Sequence, residues 1–94
     1  MSLLITLKDA QKDAMRAKDK QRLNPIRMVL AAIKQREIDE QITLDAAGIT
    51  SVIVKLVKQR RDSYTQYKDA GRDDLAEIEA NEITALEAFL PQQL

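Results

Sequence analysis

The segment from residue 52 to residue 75 constrains the fold of this 94-residue chain more than any other part. Apolar side chains recur there at steps of three, four and seven residues, as on one side of an α-helix. They are Val52, Ile53, Leu56, Val57, Tyr64 and Tyr67. No Pro or Gly interrupts the pattern before Gly71, which suits the left-handed residue that closes a helix. The segment therefore predicts a long helix that ends in a turn at Gly71.

Caps and helix breakers predict three more helices around this one. Ser2 is expected to cap a first helix that runs to about Lys18. A second helix follows over residues 20–40. Met15 of the first helix and Ile38 of the second are expected among the buried side chains. Pro25 is tolerated in a first helical turn, so Asn24 competes with Asp19 as the cap of the second helix.

The third and fourth helices are bounded in the same way. Thr43 is expected to cap the third helix, over residues 44–70, and Asp73 or Asp74 to cap the fourth, over residues 74–89. Pro91 is expected to stop the fourth helix. The breaks therefore fall near residues 17–20, 40–43 and 70–73. The predicted fold class is all-α, a compact bundle of four main helices in one small domain.

The amino-acid composition excludes several kinds of functional site. The chain has no Cys and no His, which excludes disulfides, Cys-ligated zinc and the commonest general base. It also lacks a Gly-rich phosphate loop and a Ser-His or Cys-His pair. Glu79 and Glu82 stand three residues apart, but on an acidic surface helix a solvated face is the better interpretation. We therefore expect no catalytic residue, no metal site and no cofactor.

Charge is unevenly distributed along the chain. Residues 1–36 contain nine Lys or Arg and three Asp, a net charge of +6, whereas residues 37–94 contain six basic and twelve acidic residues, a net charge of −6. Such a chain can attract a polyanion to its basic part. The alternative, which the sequence favours, is that the basic helices pair with the acidic ones.

Four segments in order resemble the GatB/YqeY family. They are AMRAKDKQRLNPIRMVLAAIKQREID over residues 14–39, KQRRDS over 58–63, KDAGRDDLA over 68–76 and LEAFLPQQL over 86–94. The resemblance implies that residues 1–94 form the N-terminal helical domain of a YqeY-like protein. It also implies that the smaller C-terminal helical domain of the family is absent from this chain.

The family is related to the helical C-terminal region of the GatB component of the aspartyl/glutamyl-tRNA amidotransferase. That enzyme converts misacylated tRNA to the amide with glutamine as nitrogen donor, and its chemistry lies in other domains. The resemblance therefore implies a non-catalytic, tRNA-associated accessory domain. Its link to carbon–nitrogen ligase activity is by association only. The implied partners are tRNA and a tRNA amidotransferase or synthetase-type protein, and the alternative function is a protein-binding helical adaptor unrelated to tRNA.

Five basic residues are the candidate nucleic-acid-binding site: Lys55, Lys58, Arg61, Arg27 and Lys34. Lys58 and Arg61 are three residues apart on a helix, a spacing that suits neighbouring phosphates. The alternative, which the sequence favours, is that Arg60 and Arg61 pair with Asp62 or with acids of the fourth helix. Tyr64 and Tyr67 stand beside this cluster and either stack on bases or, as favoured, pack over a helix seam.

The chain start and the hydropathy pattern bear on location. The first ten residues lack the basic start and the long apolar core of a signal peptide. No apolar run approaches the roughly 20 residues that a membrane-spanning helix needs. We therefore expect a cytoplasmic protein without a membrane partner.

Overall fold

The computed structural model describes residues 2–90, and within them it contains four α-helices and no strand. The helices are α1 (Leu3–Arg16), α2 (Lys20–Glu40), α3 (Ala46–Asp69) and α4 (Asp73–Glu87). The predicted all-α fold of four main helices is confirmed. Pro91, the predicted stop of the fourth helix, lies outside the described residues.

The first two caps follow from side-chain oxygens that accept backbone hydrogen bonds. Ser2 accepts one from the amide of Ile5 at 3.1 Å, and Asp19 accepts one from the amide of Arg22 at 3.2 Å. Helix α2 therefore begins at Lys20, and the competing start with Asn24 as the cap is wrong. Pro25 lies inside the helix, where its ring is buried.

The caps predicted for the last two helices are wrong. Asp45, not Thr43, caps α3, because its carboxylate accepts from the amide of Gly48 at 2.8 Å. Neither Asp73 nor Asp74 is a cap: both lie in the first turn of α4, which follows Arg72 without a side-chain cap. Their charges still complement the helix dipole at that end.

Short connections make sequential helices into neighbours. Residues 17–19 join α1 to α2, and residues 70–72 join α3 to α4 around Gly71, whose φ of +74° is the predicted left-handed closure. The molecule is thus a pair of helical hairpins, the α1–α2 hairpin and the α3–α4 hairpin. Among the described residues, none of the four helices is long and apolar enough to cross a membrane.

The core lies between the two hairpins, and every helix contributes to it. Four fully buried side chains mark its centre: Leu7 of α1, Val29 of α2, Ile53 of α3 and Leu86 of α4. A smaller cluster of Ala14, Leu23 and Ile26 fills the end near the α1–α2 connection.

Three apolar residues predicted to be buried lie further out. Met15 is 51% exposed and Ile38 is 61% exposed. Leu56 is half-buried, at the edge of the core. The apolar stripe of α3 is therefore centred on Ile53 rather than on Leu56.

Candidate functional site

The basic residues predicted on α3 do not act as one cluster. Arg61 donates from Nη2 to Glu87 Oε2 of α4 at 3.0 Å, and Arg60 also pairs with α4 acids. These contacts follow the alternative in which both arginines pair with the fourth helix. Lys55 and Lys58 are exposed, and neither has an ion pair within residues 2–90.

Lys55 borders a groove of about 650 Å³ between α2 and α3. Much of its polar lining is already engaged, because Arg36 Nε donates to Glu40 at 2.7 Å and Gln35 donates to Asp39 at 2.8 Å. Across the described residues, no group of three or more carboxylate, His or Cys side chains is placed to hold a metal ion. The groove therefore offers contact surface and one unpaired cation.

Arg27 and Lys34, the two predicted site residues on α2, point away from this groove. Lys34 is two residues from both Ala32 and Arg36, which line the groove, and two residues correspond to about 200° around a helix. Arg27 is seven residues before Lys34 and shares its side. The structure therefore does not bring the five predicted residues together, and they remain a prediction as a nucleic-acid site.

A larger set of unpaired cations covers the α1–α2 hairpin. Each is exposed, and none makes a side-chain ion pair or hydrogen bond within residues 2–90. We call them the hairpin cations: Lys8, Lys12, Lys18, Lys20, Arg22, Arg27 and Lys34. The predicted site contained only the last two.

The sequence carries a signal for the four hairpin cations that lie on α2. Residues 20–35 contain four basic side chains and no acidic one, so no acid of their own segment is available to neutralise them. Three of the cations, Lys20, Arg27 and Lys34, recur every seven residues. They therefore form one row along α2, at intervals of about 10.5 Å.

Four of the six basic residues in the acidic part of the chain, residues 37–94, pair with acids of that same part. Within residues 2–90, five ion pairs join α3 and the turn after it to α4, and they use Arg60, Arg61, Lys68 and Arg72. Among the described residues only the pair Arg36–Glu40 joins the basic part, residues 1–36, to the acidic part. The favoured expectation that basic helices pair with acidic ones is therefore wrong for the hairpin, whose positive charge faces solvent.

The least exposed ion pairs join α3 to α4 at Arg60. Its Nε lies 3.1 Å from Glu82 Oε2 and 3.7 Å from Glu79 Oε2, and its Nη2 contacts the sulfur of Met28 on α2. Only 14% of the Glu79 side chain is exposed, and its Oε2 is buried without a hydrogen bond. Burial raises the pKa of Glu79, the neighbouring Glu82 adds to this effect, and Arg60 opposes it.

This environment predicts that Glu79→Gln stabilises the protein at neutral pH. A carboxylate whose pKa is raised on folding destabilises the folded state when it ionises, and this penalty disappears as the pH falls to where Glu79 is protonated in both states. We expect a gain in the free energy of unfolding of up to about 1 kcal/mol at pH 7. The gain should vanish below about pH 4.

Urea unfolding at both pH values measures this effect. Glu77→Gln is the matched control, because Glu77 is exposed on the same helix and makes no ion pair within residues 2–90. A Glu79→Gln protein that is less stable than the parent at pH 7 would show that attraction to Arg60 outweighs the burial of Glu79.

Comparison with known proteins adds a family and several relatives. The family model described as Yqey-like protein matches residues 5–94. A Kluyveromyces lactis protein named altered inheritance of mitochondria protein 41, mitochondrial, is 44% identical over 87 residues, which are 92% of this chain and 47% of that relative.

Proteins of the same name in Eremothecium gossypii and Clavispora lusitaniae are 40% and 38% identical, over 93% and 95% of this chain. The matches cover 48% and 52% of those two relatives, so the chain spans about half the length of the curated relatives it matches. All three relatives are named as mitochondrial proteins. The expectation of a cytoplasmic location is therefore wrong.

Proposed function

The chain belongs to the YqeY-like protein family, and from this premise we propose that it is a non-catalytic helical domain that binds RNA, tRNA above all, through the hairpin cations. We place this function in mitochondria, the location printed in the names of its relatives. The glutamine-dependent amidation of the related amidotransferase is no part of the proposal.

The unpaired state of the hairpin cations carries the proposal. Seven exposed cations on two adjacent helices and their connection create a positive field although the net charge of the chain is zero. An ion pair would have cancelled each charge locally, as at Arg61 and Glu87. Phosphate groups bound there would release counterions, which supplies most of the free energy of non-specific nucleic-acid binding.

The affinity should be modest. The α4 acids lower the overall attraction, and no basic side chain lies on that helix. We therefore expect binding in the range of about 10⁻⁴–10⁻⁶ M that is typical of non-specific complexes at physiological salt.

The test is a titration of tRNA with the parent and with Arg27→Gln/Lys34→Gln. Each removed phosphate contact lowers the slope of log affinity against log salt by about 1, so the double variant should lose about 2 units of slope. Both side chains are exposed and unpaired within residues 2–90, so the fold should be unaffected.

Lys55→Gln/Lys58→Gln is the matched control. It removes the same two charges from exposed positions on α3, outside the hairpin. An equal loss in the control would show that only net charge matters, and this would contradict the proposed site. Salt-insensitive binding of a protein partner, without binding of tRNA, would support the adaptor function instead.

A further inference from the structure

We infer that the α1–α2 hairpin binds base-paired, helical RNA in preference to single-stranded RNA. This inference rests on the proposed function above and names its class of ligand. It is carried by two observations on the hairpin: the type of side chain that the hairpin presents, and the regular spacing of the cations on α2.

The hairpin offers no aromatic ring to an unstacked base. The three aromatic residues of the chain are Tyr64, Tyr67 and Phe89, all of which lie beyond α2. Phe89 is engaged in packing against the core, and the two tyrosines are half-buried on α3. Proteins that bind single strands commonly use aromatic side chains as stacking platforms, worth about 1–3 kcal/mol per base. The hairpin lacks this source of affinity.

The face of α2 that carries the row is shaped for a backbone. Between Lys20, Arg27 and Lys34, the same side of the helix presents Asn24 and Ala31, which are both exposed. These side chains are short, so a ribose–phosphate backbone can come close to α2 between the cations. The row extends over about 21 Å of one continuous helix.

A rigid row favours a rigid ligand. Base-paired RNA holds its phosphates at fixed positions, and proteins recognise it by shape and by contacts to phosphates and 2′-hydroxyls. A single strand must lose conformational freedom to follow the same row, and this loss subtracts from its affinity. Because phosphate contacts carry no base information, binding should be insensitive to sequence.

The experiment compares two fluorescent RNAs of equal phosphate number, a mixed-sequence stem-loop and an unstructured oligouridine. Anisotropy titrations are run with the parent at equal low salt. We expect the stem-loop to bind at least about tenfold more tightly, a difference of about 1.4 kcal/mol. Arg27→Gln/Lys34→Gln should remove most of this preference, and Lys55→Gln/Lys58→Gln should keep it. Circular dichroism verifies that both variants stay helical.

The remaining outcomes separate the inference from the proposed function. Equal or tighter binding of oligouridine overturns the preference for helical RNA but leaves RNA binding in place. Absence of binding to both RNAs overturns the proposed function itself. A stem-loop preference that survives in Arg27→Gln/Lys34→Gln overturns the assignment of the preference to the α2 row.

Discussion

Replacing Ile53 with Ala is expected to lower the free energy of unfolding by about 3–4 kcal/mol, because Leu/Ile/Met→Ala changes in cores cost about 2–5 kcal/mol. Ile53 has no exposed surface and belongs to the core cluster that also contains Leu7, Val29 and Leu86. The substitution removes buried apolar atoms and leaves a cavity at the point where the two hairpins meet. Urea unfolding followed by circular dichroism measures the loss.

Two substitutions on the same helix test whether the loss comes from burial. Leu56 is half-buried beside the α2–α3 groove, so Leu56→Ala should cost clearly less than Ile53→Ala. Val54 is 50% exposed, and Val54→Ala should change stability by less than about 0.5 kcal/mol. Equal losses at residues 53 and 56 would contradict the position of the core.

The four helices were predictable because local signals agreed with the tertiary structure. Ser2 and Asp19 both supply the side-chain oxygen that their position demands. The start of α3 was missed because Thr43 and Asp45 both suit a cap by residue type. Glu37 accepts from the amide of Leu44 at 2.8 Å, so the chain is tied to α2 just before the helix begins. The residue preferences at positions 43–45 cannot reveal that contact, because it joins this segment to a different helix.

Burial was predictable only at the centre of each apolar stripe. Periodicity locates the side of a helix that is apolar, but the neighbouring helix decides how wide a strip is covered. Ile38, in the last turn of α2, and Met15, in the last turn of α1, lie where coverage ends, and both stay more than half exposed.

The exposed, unpaired cations were harder to predict than the fold. Arg61 was predicted as a site residue because it stands three residues from Lys58, but Arg61 and its neighbour Arg60 pair with acids 19 or more residues away. Pairing across a hairpin depends on the turn at Gly71 and on the register of α4. The four hairpin cations on α2 were visible in the sequence in another form, as the absence of Asp and Glu from residues 20–35.

Arg60→Ala is expected to lower the free energy of unfolding by about 2–3 kcal/mol at pH 7. Removing one partner of a fully buried ion pair costs about 3–5 kcal/mol, and exposed pairs contribute about 0–1 kcal/mol. Arg60 lies between these limits, since 23% of its side chain is exposed, with 14% for Glu79 and 19% for Glu82. Its loss leaves two adjacent carboxylates without a cation and removes a contact to Met28 on α2.

Arg61→Ala is the matched control. It removes the same kind of side chain one residue away, but the Arg61 side chain is 61% exposed and that of its partner Glu87 is 45% exposed. Its loss should stay below about 1 kcal/mol because solvent screens the pair. Urea unfolding of both variants at one salt concentration gives the comparison.

The carboxylates provide the decisive check on the origin of the Arg60→Ala loss. If repulsion and burial of Glu79 and Glu82 cause it, then Glu79→Gln/Glu82→Gln in the Arg60→Ala background should recover stability. The Arg60→Ala loss should also shrink as the pH falls, because Glu79, whose pKa is raised by burial, becomes protonated and needs no cation. The opposite result would be a loss that is independent of pH and is not recovered by the two glutamines. It would show that Arg60 stabilises the fold through packing of its side chain against Met28 and α4, rather than through its charge.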